Sequence, residues 1–151
     1  MRLMGLKKMK DEYNGLKISI DKFLSENLTG IVVVNDPTEI PDVDPDEWIS
    51  VIYGDCDIVS IIKKAEISFH CLTKNDDGGF RRAKLIDLLV EKLTKDENQV
   101  DEIRRIPFYV VENGSLVQKS TILASDTFID GHYRLTTDIT GQSVRFEFIW
   151  S

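Results

Sequence analysis

Cysteine, histidine and long apolar runs are all scarce in this chain. Two cysteines, Cys56 and Cys71, in 151 residues exclude a small disulfide-stapled scaffold and fit a reduced, cytoplasmic compartment. No apolar run approaches the ~20 residues that cross a bilayer. The N-terminal MRLMGLKKMK has positive charge but no apolar stretch behind it, so it does not read as a secretory signal. Four prolines and nine glycines are too few for a collagenous or low-complexity chain. Basic residues are also in the minority: 19 Lys and Arg against 26 Asp and Glu give a net charge of −7. Nucleic-acid wrapping draws its affinity from phosphate neutralisation, so that class is disfavoured. What is present is 42% hydrophobic and 30% charged residues, the balance of one ordinary folded domain over residues 1–151.

The acidity is concentrated. Between Phe23 and Ile62 there is no Lys or Arg, while nine Asp and Glu fall in that span. A solvated loop is the plain reading, and an acidic face for a basic partner, or one that lets nucleic acid slide past, is the functional one. Asp42-Val43-Asp44-Pro45-Asp46 starts like a calcium loop. Its sixth position, however, is Glu47 where a glycine is needed, and its twelfth is Tyr53 where a glutamate is needed, so no calcium is expected.

Periodicity assigns the elements. Leu6, Met9, Tyr13, Leu16, Ile20, Phe23 and Leu24 form one helical stripe, which Asn14-Gly15 should interrupt. Residues 1–15 are therefore expected as a flexible or helical extension. Strands are expected at 31–34, at 48–53, and at 65–71, where Ala65, Ile67, Phe69 and Cys71 alternate with polar residues. After the Asn75–Gly79 turn, helical spacing returns over 80–95, with Phe80, Ala83, Ile86, Leu89, Val90 and Leu93 on one face and Leu85 and Leu88 widening it. A strand is expected at 107–111. Strands at 121–129 and 133–137 should form a hairpin about Asp130-Gly131, and Gly141 should mark a second turn. The last strand alternates Val144, Phe146, Phe148 and Trp150. The class is α+β: a mixed or antiparallel sheet with two main helices packed on it and a C-terminal β-meander.

Candidate chemistry is sparse. His70 and Cys71 are adjacent, but neighbours on a strand face opposite ways, and no paired metal-ligand spacing occurs. Cys71 reads as a small core residue. A Cys56–His pair has nothing to bring it together, and Gly78-Gly79 lacks the ending of a phosphate loop. No catalytic residue, cofactor or metal is assigned.

The order of elements carries a resemblance. A leading helix is followed by W-I-S-V-I-Y (Trp48–Tyr53), then by A-E-I-S-F-H-C-L. A polar turn precedes the helix G-F-R-R-A-K-L-I-D-L-L-V-E-K-L, and V-R-F-E-F-I-W closes the chain. This resembles the tail terminator (tail completion, minor tail protein U-like) family of tailed bacteriophages over roughly residues 16–151. The resemblance implies a late structural protein of the virion neck that forms a hexameric ring, stops tail-tube growth and offers the head-tail joining surface. Its implied partners are copies of itself, the tail tube protein, a head-completion or connector protein, and genomic DNA passing through the lumen without specific binding. No membrane and no active site are implied. Partner contacts are expected at Asp42, Asp44, Asp46, Glu47, Trp48, Tyr53 and Trp150, because acids meet a basic partner and aromatics enrich interface cores. Another neck component (a head-completion or stopper protein) is the nearest alternative, and a small cytoplasmic α+β enzyme or ligand-binding domain using the Asp42–Asp57 region the more distant.

Overall fold

The computed structural model describes residues 2–35, 41 and 45–151, with side chains from residue 11 onward. In chain order the elements are helix α1 (Arg2–Asn27), strands β1 (Val32–Val34), β2 (Glu47–Asp57) and β3 (Lys63–Lys74), helix α2 (Phe80–Thr94), and strands β4 (Ile106–Glu112), β5 (Ser115–Arg134) and β6 (Ile139–Trp150). One turn of 3-10 helix, Asp77–Gly79, leads into α2. The strands form one six-stranded sheet in the order β1-β2-β3-β6-β5-β4. β1 runs parallel to β2 and the other pairs are antiparallel. The expected α+β architecture, with a mixed sheet and a β4–β5–β6 meander, is what the chain forms. Among the described residues no helix is long and apolar enough to cross a membrane.

The alternation in β3 and β6 decides which face is buried. Ala65, Ile67, Phe69 and Cys71 of β3 and Val144, Phe146, Phe148 and Trp150 of β6 point to one side, where they meet Leu16, Ile20, Phe23 and Leu24 of α1 and Leu85, Ile86, Leu89 and Leu93 of α2. Both helices thus pack on the same face. The opposite face carries a small cluster of Trp48, Leu72 and Ile139, with Val32 and Val34 against it.

Four expectations are corrected. α1 runs unbroken through Asn14-Gly15. Gly15 is required there because a Cβ would sit 2.7 Å from the Tyr109 carbonyl oxygen and 2.8 Å from the Phe108 ring; helix and strand approach too closely for a side chain. Ser19 of α1 fastens the same contact: its hydroxyl donates to the Gly15 carbonyl at 2.6 Å and accepts the Tyr109 N–H at 2.8 Å. The Asp130-Gly131 hairpin does not exist, since β5 continues to Arg134 and the pair lies in a bulge where the register with β6 shifts between Ile129 and His132. The β5–β6 turn is instead residues 135–138, closed by the Leu135 N–H donating to the Ile139 carbonyl at 2.9 Å. Gly141 is inside β6, where the Tyr133 ring lies across it; a Cβ would come within 2.6 Å of that ring.

The stripe of α2 is also rotated from its expected phase. Arg82, Leu85, Ile86, Leu89 and Leu93 are buried, whereas Phe80 is 75% exposed and Ala83 is exposed. The Asn75–Gly79 turn does cap this helix. The Asp76 carboxylate accepts the N–H groups of Arg81 at 3.1 Å and Arg82 at 2.9 Å, and the Thr73 hydroxyl at 3.0 Å.

Candidate functional site

Of the seven residues expected at a partner surface, the five described ones do not share one face: Trp48 belongs to the small outer cluster and Trp150 to the main core. Asp42 and Asp44 lie outside the described residues. Asp46 is exposed and Glu47 half-buried at the start of β2, and the Asp46 carbonyl accepts the Lys74 N–H at 2.8 Å. Trp48 is 1% exposed and Trp150 3% exposed. Both indoles are therefore committed inside the subunit, and neither offers the aromatic edge expected of it. Trp150 stacks on Phe108 with ring centroids 5.7 Å apart, and its Nε1–H donates to Glu12 of α1 at 2.9 Å. Trp48 belongs to the small outer cluster. Its Nε1–H and the Ser50 hydroxyl two residues on are buried without a hydrogen-bond partner among the described residues.

Tyr53, at the far end of β2, is half-buried. Its ring meets Tyr13 edge-on at 6.5 Å, and the Lys17 ammonium lies 4.6 Å from the Tyr13 ring centre and 5.4 Å from that of Tyr53. Burial, then the nearby Asp21 charge, pushes the Tyr53 phenol far above its ordinary pKa. It stays a neutral hydrogen-bonding group at any physiological pH.

The outer face of the sheet holds the densest polar network. The bulge at Asp130-Gly131 turns the Asp130 carboxylate across β6, an aiming role that bulges commonly have. There it accepts the Ser143 hydroxyl at 2.7 Å and a fork from Arg145 at 3.0 and 3.2 Å. Arg145 also reaches Glu66 at 3.9 Å and covers the Phe128 ring at 4.6 Å. The Ser143 hydrogen bond, and next the Arg145 pair, hold the Asp130 carboxyl below its ordinary value against the effect of burial. Beside this network His70 Nδ1 and the Tyr133 hydroxyl are 2.8 Å apart. Burial lowers the His70 pKa, and Asp130, which pulls the other way, does not compensate.

That direction has a measurable consequence. The folded His70 binds its proton only below the unfolded value near 6.5. Below that pH the unfolded chain therefore takes up a proton that the folded chain refuses, and stability falls on acidification. Wild type is expected to lose melting temperature between pH 7.5 and pH 5.5. His70→Gln, which retains a partner for Tyr133, should show a flatter profile over the same interval in a thermal scan. Equal slopes for the two proteins would remove His70 from the account.

Chemically reactive groups are kept apart. His70 and Cys71 point to opposite faces, as their adjacency on a strand requires. The Cys71 thiol is buried in the core and pushed up to about 12, and burial also raises that of Cys56, so neither is a ready thiolate. Among the described residues no group of three His, Cys, Asp or Glu side chains could hold a metal. A cleft of about 760 Å³ separates the start of α2 from the β5–β6 turn, with Arg82, His132, Arg134, Asp76 and Asp138 among its lining residues. Arg82 is 8% exposed and donates to Thr140 at 2.6 Å and to Gln142 at 3.4 Å. Its contacts tie α2 to β6, and Asp76 is engaged in capping. The expected stripe left Arg82 out; the observed stripe, shifted to Arg82, Leu85, Ile86, Leu89 and Leu93, takes it in.

The chain matches no protein-family model and no curated protein. A solved structure whose name describes no function is similar with a TM-score of 0.57 at 8% identity, over 92% of this chain and 95% of that one. This likeness covers nearly the whole of both chains and shows the α+β fold alone.

Proposed function

We propose that this chain is a structural subunit of a bacteriophage neck, a tail terminator whose ring sits at the head-proximal end of the tail tube. The observation that carries this reading is the order of elements. A leading helix, a β2–β3 hairpin, a second helix and a closing meander that ends on an alternating aromatic strand follow one another as in the family that the sequence resembles. The acidity is consistent with the role: a ring wall at −7 per subunit lets DNA pass with low affinity, because like charge offers phosphates no counterion to displace. In this reading the chain works through surfaces, with copies of itself, the tail tube and a head-completion or connector protein as partners, in the assembled virion.

The test is tube growth. Tail tube protein polymerised with this chain present should give tubes of restricted length that bear a ring at one end in negative stain. Tubes that grow to the same lengths with and without the chain, and carry no added density at either end, would overturn the reading.

A further inference from the structure

Two of the six asparagines, Asn14 and Asn113, are followed by glycine. In such a pair the amide nitrogen of the second residue can attack the asparagine Cγ, because glycine has no side chain to stand in the way. The other four asparagines precede Leu28, Asp36, Asp76 and Gln99, whose side chains crowd the same nitrogen. The fold treats the two Asn-Gly pairs in opposite ways. Asn14-Gly15 lies inside α1, where the Gly15 N–H is held in the helical ladder by the carbonyl four residues back. Gly15 is also buried, too close to the Tyr109 carbonyl and the Phe108 ring to admit a Cβ. Its nitrogen can reach the Asn14 side chain only if α1 leaves the sheet.

Asn113-Gly114 is the two-residue loop of the β4–β5 hairpin, outside the ladder that closes at Glu112 and Ser115. Both residues have positive φ, 52° and 78°, which a tight hairpin turn needs and which Asn and Gly tolerate. A Cβ added to Gly114 would meet nothing within 4 Å, and residues 111–116 are all exposed. Neither the Gly114 N–H nor the Asn113 side-chain amide has a hydrogen-bond partner among the described residues. Little holds this tip shut. β6 pairs with β5 only from Leu123 onward, so the outer half of the hairpin has no third strand beside it. Such ends open locally at low cost.

We infer that Asn113 is a site of spontaneous modification, deamidating in the folded chain while α1 protects Asn14. The Gly114 amide nitrogen gives up its proton to base and bonds to the Asn113 Cγ. The bond from Cγ to the side-chain nitrogen breaks and ammonia leaves, giving a succinimide. One water then opens that ring at either carbonyl, to aspartate or to isoaspartate. No enzyme, oxidant or cofactor is consumed, and the site does not depend on the neck reading. Each product adds a negative charge beside Glu112, which already pairs with Lys119 at 2.6 Å. Isoaspartate also routes the backbone through the former side chain and lengthens a loop of two residues. The tip pairs Val111–Leu116 and Glu112–Ser115 should then loosen, while the buried Ile106, Phe108 and Ile122 keep the two strands in place.

The test ages the full folded chain at pH 6.5 and pH 8.5, beside a sample in concentrated guanidinium chloride. Anion exchange should resolve an acidic species that grows faster at pH 8.5, since the attacking nitrogen must lose its proton. Peptide mapping by mass spectrometry should place aspartate or isoaspartate at position 113. In denaturant Asn14 and Asn113 should react at similar rates, because local sequence alone then decides. In the folded chain Asn14 should be slower than Asn113 by about a hundredfold or more, since its reaction waits for α1 to open. Asn113→Gly, which suits positive φ, should melt as wild type does and lose the acidic species. If that variant fails to fold, Asn113→Asp replaces it, and it should gain no further charge on ageing. An Asn113 that stays intact in the folded chain while the denatured chain reacts would overturn the inference. So would equal rates at the two sites in the folded chain, a rate that does not change with pH, or an acidic species that persists in the variant.

Discussion

Leu89→Asp should leave the chain unfolded. Leu89 is 0% exposed at the centre of α2's buried stripe, among side chains of β3 and β6 that include Phe69 and Phe146. Removing the leucine forfeits about 2–5 kcal/mol of burial and packing. The carboxylate must then either stay charged in an apolar site or take up a proton there, and burying such a group without a partner costs several kcal/mol more. The total is comparable to the ~5–15 kcal/mol that holds a domain of this kind together. Far-ultraviolet circular dichroism of the purified variant should show lost helix, with material recovered mainly from the insoluble fraction. Ala83→Asp is the matching control: it adds the same charge to the same helix at an exposed position, in a turn whose dipole favours acids, and should fold as wild type does. A folded Leu89→Asp with a sharp thermal transition would mean that α2 does not pack on the sheet through this face.

The Leu85, Ile86, Leu89 and Leu93 part of that stripe was legible because strong periodicity needs no knowledge of partners, whereas Phe80 and Ala83 proved exposed and Arg82 buried. The alternation in 65–71 and 144–150 names the buried side of β3 and β6 for the same reason. Where the sequence misleads, the deciding quantity is a distance to something remote in the chain. Asp130-Gly131 suits a two-residue turn and a bulge equally well; the register of β6 chooses the bulge, and the bulge in turn sets Asp130 against Arg145. The real turn at 135–138 contains no glycine and is held partly by side chains, with Thr136 accepting the Ile139 N–H at 3.2 Å and donating to Asp138 at 2.9 Å. Trp150 reads as a partner-interface aromatic until α1 brings Glu12 to its indole nitrogen. Which side chains stay at the surface was the least legible. Burial within the subunit removes Trp48 and Trp150 from a surface role, and some of the exposed apolar positions, Val59, Ile61, Ile62 and Phe80 among them, fall in segments whose local pattern looks like an ordinary strand end and an ordinary first helical turn.

Gly15→Ala should destabilise the protein although it improves the helix. In isolation the change favours α1 by up to ~1 kcal/mol, because alanine loses less backbone entropy than glycine on becoming helical. Against this stands the fit to β4. The added Cβ would lie 2.7 Å from the Tyr109 carbonyl oxygen and 2.8 Å from the tip of the Phe108 ring. The oxygen belongs to backbone and cannot rotate away, and Phe108 is 1% exposed and stacked on Trp150. α1 must therefore move outward, which lengthens the Ser19–Tyr109 hydrogen bond and opens the layer of Leu16 and Ile20 beneath it. Overpacking of this kind costs about 1–3 kcal/mol, so the loss exceeds the helical gain. For a domain of this size the net effect should lower the melting temperature by a few degrees. Gly15→Val adds two more methyl groups in the same place and a β-branched helix penalty, and should lower it much further. The neighbouring position gives the opposite sign: Asn14 is exposed, so Asn14→Ala should leave stability unchanged or raise it by a few tenths of a kcal/mol. Thermal scans of the three variants beside wild type decide the matter. A Gly15→Ala protein more stable than wild type would show that α1 can withdraw from β4 without loss, and that the glycine has no packing role.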